Sequence, residues 1–77
     1  MTEPQRDAIR TMLSVLERES DALRIQDYAV LGALGTEKQA ALHRLDAVMP
    51  AAPELSEPDR ALAEALRSSV AENRELL

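Results

Sequence analysis

The sequence predicts an all-α protein, an antiparallel three-helix bundle or helical hairpin with coiled-coil-like packing. Three observations predict it. Apolar residues recur at intervals of three and four along nearly the whole chain. Alanine and leucine, both strong helix formers, supply 13 and 12 of the 77 residues. β-Branched residues are few and never alternate with polar ones, so strand patterning is absent. The length allows one domain, residues 1–77, with a core too small to rest on without long regular helices or a partner chain.

The first helix is expected near 4–26. Thr2 stands three residues before Gln5, the spacing of a capping box, and Pro4 suits a first helical turn. Leu13, Leu16, Ser20, Leu23, Asp27, Val30 and Leu34 then follow at intervals of 3, 4, 3, 4, 3 and 4. So narrow a stripe reads as a coiled-coil seam. Residues 4–49 hold no proline after Pro4, so a single rod of about 69 Å is an alternative to a hairpin. Asp27 favours the hairpin, because a carboxylate is costly in a seam and useful as an N-cap. The second helix is then expected near 27–49. A break at Gly32–Gly35 is the other option, since glycine costs about 1 kcal/mol relative to alanine in a helix.

Prolines 50, 53 and 58 mark the next boundary. Residues 50–56 read as a proline-rich connector. Ser56-Glu57-Pro58-Asp59 reads as a helix start, with Ser56 as cap and two carboxylates at the positive end of the helix dipole. The third helix is expected near 57–77. Its seam is Leu62, Leu66, Ser69, Asn73 and Leu76. Arg74-Glu75-Leu76-Leu77 keeps the helical period without a stop signal.

Several functions find no residues here. There is no cysteine, hence no thiolate chemistry or thiolate metal site. His43 and Asp46 share a helix face, but His43 is the only histidine and the pair reads as solvated surface. The fourteen carboxylates are spread over all three segments, and none sits in an apolar setting of the kind that tunes a catalytic acid. No nucleophile elbow, phosphate-binding glycine loop or zinc-protease motif occurs. The expectation is a protein that is not an enzyme and carries no cofactor or metal. A net charge of −5 disfavours nucleic acid and anionic membrane surfaces, and no apolar run approaches the ~20 residues of a membrane span. The default location is cytoplasmic. Eight arginines against one lysine, with abundant alanine, suggest a GC-rich genome.

What remains is helical surface for other helices. Lys38, Ser69 and Asn73 are polar seam residues of the kind that fix register or oligomer state. Tyr28, the only aromatic residue, reads as a small packing anchor beside the first turn. Leu62, Leu66, Val70, Asn73, Leu76 and Leu77 present a surface on which an amphipathic helix of another chain can dock. The same residues can equally serve to close the chain's own bundle.

The run Leu23-x3-Asp27-x3-Leu31-x2-Leu34-x3-Lys38-x3-Leu42-x2-Leu45 resembles the first helical hairpin of FlgN, the flagellar type III export chaperone family. Leu13-x2-Leu16-x2-Glu19 upstream and Asn73-Arg74-Glu75-Leu76-Leu77 downstream are similar to that family in the same order, as is Thr36-Glu37-Lys38. The resemblance implies an ATP-independent chaperone that holds the C-terminal helices of hook–filament junction proteins before export. It also implies a partner surface on the last helix, with Val70, Asn73, Leu76 and Leu77 at its beginning. The alternative expectation is a structural coiled-coil oligomerisation or adaptor module, with self-association as its whole role.

Overall fold

The computed structural model describes residues 2–48 and 56–77. Three helices account for them, α1 (Glu3–Ile25), α2 (Tyr28–Val48) and α3 (Glu57–Leu76), and no strand occurs among the described residues. The expected connector at 50–56 lies outside the described residues except for Ser56. α1 and α2 run antiparallel. α3 runs parallel to α1, as its cross-links place Asp59 beside Arg6 and Asn73 beside Ser20. The bundle measures 38 × 20 × 17 Å.

Local chemistry sets the helix ends. Gln5 N–H donates to Thr2 Oγ1 at 3.4 Å, and Thr2 N–H donates to Gln5 Oε1 at 2.8 Å, a complete capping box. α1 stops because Gln26 turns into the left-handed region at φ 57°, ψ 40°. That conformation lets Asp27 N–H reach back to the Ala22 carbonyl at 2.9 Å, closing the helix end. Asp27 then caps α2, its Oδ1 accepting from Val30 N–H at 3.2 Å. So two residues end one helix and begin the next. Gly32 and Gly35 remain inside α2. Neither makes a close approach to a neighbouring helix, because a Cβ at either would meet nothing within 4 Å. Ser56 occupies the N-cap position of α3, but its side chain makes no capping hydrogen bond.

The core centres on α1. Met12, Val15 and Leu16 form a cluster with Ala41 of α2, and Leu45, Leu66 and Val70 pack against it. α1 packs on both other helices, whereas α2 and α3 do not approach each other closely along their backbones. Touching two neighbours widens the buried face of α1. Ala8, Ile9, Met12, Val15, Leu16, Glu19, Ser20 and Ala22 are all buried, while Leu13 and Leu23 of the expected narrow seam are only half-buried. That width is the face of a globular bundle, not the two-position seam of a coiled coil.

Candidate functional site

Chemistry gathers in a polar layer through the middle of the bundle. Glu19 and Ser20 come from α1, Lys38 from α2 and Asn73 from α3. Helical spacing brings each inward, since every one falls on a buried or half-buried face. Lys38 Nζ donates to Glu19 Oε1 at 2.8 Å and to Asn73 Oδ1 at 3.4 Å. Asn73 Nδ2 donates to Ser20 Oγ at 3.4 Å. Asn73, Ser20 and Glu19 are 3, 4 and 7% exposed, so their hydrogen bonds have replaced water. The lysine keeps more contact with solvent, its stem packed and its ammonium partnered by the carboxylate. No buried side-chain nitrogen or oxygen among the described residues lacks a partner. The sequence marks Ser20, Lys38 and Asn73 as polar seam positions. Glu19 escapes that reading because it lies one residue beside the seam.

Nearer the lower end of the bundle, Arg6 Nε donates to Asp59 Oδ1 at 2.9 Å, tying α1 to α3. Asp59 is 2% exposed. Hydrogen bonding holds its carboxyl down at about 2, with Arg6 and Ser56 among the partners, against the opposing cost of burial. The same hydrogen bond raises the affinity of Arg6 for its proton, with Glu3 contributing. Between α1 and α2 the ion pairs are Arg44–Asp7 at 2.6 Å and Arg18–Glu37 at 2.7 Å, and Arg24–Glu72 joins α1 to α3. These exposed pairs orient the helices more than they stabilise them. No group of three or more potential metal ligands occurs among the described residues. His43 and Asp46 are both exposed.

The residues expected to bind a partner divide in two. Leu66 and Val70 pack on the α1 core, and Asn73 is buried in the polar layer. Leu62 and Leu76 are half-buried, and Leu77 is 73% exposed. Exposed apolar surface concentrates instead on α2 and on the turn before it, at Ile25, Tyr28, Val30 and Leu42. Tyr28 is 73% exposed, so it is not the packing anchor that its being the only aromatic residue suggested. Beside it, a groove of about 360 Å³ runs between α1 and α2, floored by Ala22, Ala33 and Leu34 and edged by Arg18, Asp21 and Glu37.

The arrangement combines a packed apolar centre, a hydrogen-bonded polar layer joining the three helices and an incompletely covered α2. No family model, curated protein or solved structure matches the chain. No helix among the described residues is long and apolar enough to cross a membrane.

Proposed function

We propose that this chain is a helix-holding chaperone of the FlgN kind. In this reading it binds the C-terminal amphipathic helices of hook–filament junction proteins in the bacterial cytoplasm and releases them at the type III export machinery. The observation that carries the reading is the apolar surface of α2, with Tyr28, Val30 and Leu42 exposed on a helix that is otherwise well formed. Tyr28 and Leu42 fall on one face of α2 and Val30 on another, beside α1, so apolar surface is open on more than one side of the helix to a guest helix, which buries the same stripe that would make the guest aggregate alone. The polar layer supports the reading in a second way. It fixes how the three host helices sit without spending apolar surface on the task, leaving that surface for the guest. Affinity drawn from a shallow groove is moderate, which suits a partner that must be handed on.

Calorimetry with a synthetic peptide of a junction protein's C-terminal helix tests the proposal. Saturable binding of one peptide per chain is the expected result. No heat and no helicity change at peptide concentrations well above micromolar overturns it. If the chain alone shows a melting temperature that rises with concentration, the structural oligomerisation role replaces the chaperone role.

A further inference from the structure

The geometry points to a seat for a fourth helix on the side of the bundle opposite α1, between α2 and α3, and we propose that its occupant is an amphipathic helix of another protein with an acidic flank. The inference rests on the reading of this chain as a helix holder, not on which helix it holds.

Three observations locate the seat. First, α1 packs against both α2 and α3, but those two do not approach each other closely along their backbones. Among the described residues three corners of a four-helix arrangement are thus filled, and the fourth, bordered by α2 and α3, holds no helix. Second, α2 presents a row on that side. Tyr28, Leu31, Lys38, Leu42 and Leu45 recur at intervals of 3, 7, 4 and 3, which places them on one helix face. Lys38 reaches Asn73 of α3, and Leu45 packs on the cluster that Leu66 and Val70 also cover, so this row borders α3. Its outer members stay uncovered, Leu42 at 40% and Tyr28 at 73% exposure. Third, α3 supplies the opposite edge. Ala63 and Val70 are seven residues apart and half-buried. Alongside them Arg60, Arg67 and Arg74 form an exposed row, again with spacing of seven.

The arginine row decides the occupant. Among the described residues Arg60 and Arg67 pair with exposed carboxylates of their own helix, Glu57 and Glu64, which hold them weakly and can be exchanged. A guest with leucines toward the seat and carboxylates toward α3 meets both the apolar row and the cationic one. A second copy of this chain fits less well, because two bodies of charge −5 repel on approach.

Two synthetic helical peptides of about 20 residues, with leucine at alternating three- and four-residue intervals, probe the seat; that length matches α2 and α3. One carries glutamate along a flank and the other lysine at the same positions. Titrating each labelled peptide with the full chain, and following fluorescence anisotropy, should show one glutamate peptide bound per chain. Leu42→Glu, and separately Arg67→Glu with Arg74→Glu, should each weaken binding about tenfold or more, the scale of one lost apolar anchor or rim charge cluster. Ala40→Glu, at an exposed position off this row, should leave it unchanged. Circular dichroism of the exposed arginine variant confirms that the fold persists. The proposal is overturned if neither peptide binds, if the lysine peptide binds as tightly, or if the variants do not discriminate. It is also overturned if sedimentation shows a homodimer that Leu42→Glu dissolves. Binding of the designed peptide without binding of a junction-protein helix removes the chaperone reading and keeps the seat. Junction-helix binding indifferent to Leu42 and Arg67 does the reverse.

Discussion

α1 carries nine charged side chains in 23 residues and buries eight of its side chains; α2 carries four in 21 residues and buries two. The more polar helix is the core of this protein and the more apolar one is its surface. α1 sorts its residues. Apart from buried Glu19 and half-buried Arg6 its charges stand outward, while Ile9, Met12, Val15 and Leu16 face inward, and two neighbouring helices cover that face. The first eight residues of α2, Tyr28 to Gly35, carry no charge, and the one neighbour at its back covers only part of them. Burial here follows from how many helices lie against each one: two pack on α1 and one on α2.

This contrast can be broken most directly in the core. Leu16→Ala should cost about 3 kcal/mol in urea unfolding, because it opens a cavity where α1 meets both partners. Leu42→Ala on α2 should cost less than about 1 kcal/mol, since that side chain is already partly in water. Equal losses would mean that α2 is covered in solution.

The polar layer offers the next largest effect, with opposite sign. Replacing Glu19, Lys38 and Asn73 together by leucine should raise stability by about 2 kcal/mol, since a desolvated ionic layer is commonly weaker than packed hydrocarbon. The same variant should lose its single arrangement of helices, read as broadened amide resonances or mixed species in sedimentation. A variant that is more stable and still uniquely ordered would remove the register role from these residues.

Smaller effects come from the backbone. Gln26→Gly should stabilise by about 1 kcal/mol, as glycine accepts the left-handed conformation that ends α1 without a steric penalty. Gly35→Ala should add a similar ~1 kcal/mol, because α2 is helical there and the space for a Cβ is open. Thermal melts of the two single variants and the pair should be additive, the sites being far apart in the turn and in the helix body.

The last effect is confined to acid. Asp59 has a carboxyl held at about 2 in the folded chain against an ordinary value near 3.8. A depressed folded value means that the unfolded chain takes up the proton first. The contribution is therefore complete above about pH 4 and is lost as pH falls toward 2. Asp59→Asn should flatten the stability profile in that window and leave its shape at neutral pH unaltered, as read by chemical denaturation across pH.

The fold class was legible because helical periodicity is a local property, written in the intervals between leucines and alanines. The ends of α1 and α2 were nearly as legible, because Thr2, Gln5 and Asp27 act within a few residues of themselves. The glycines were harder to read. Gly32 and Gly35 suggest a weak point or a close approach, but a helix tolerates a glycine penalty when the capped turn at Asp27 has already placed the reversal elsewhere. Ser56 was legible as the boundary and stands at the N-cap of α3 as read, but its side chain makes no capping hydrogen bond. For the partner surface, spacing alone marked α3, yet Leu66, Val70 and Asn73 went to the bundle's own centre.

The amino-acid order by itself determined the helical segments and favoured a reversal at Gln26-Asp27 over one at Gly32–Gly35, since period and caps depend on interactions spanning a single helical turn. Only the tertiary structure decided which helix lies in the middle, which polar seam residues meet, and which apolar row stays open. Those outcomes depend on how three stripes of similar apolarity share their contacts. A stripe can be read from its own intervals, but the neighbour that covers it cannot.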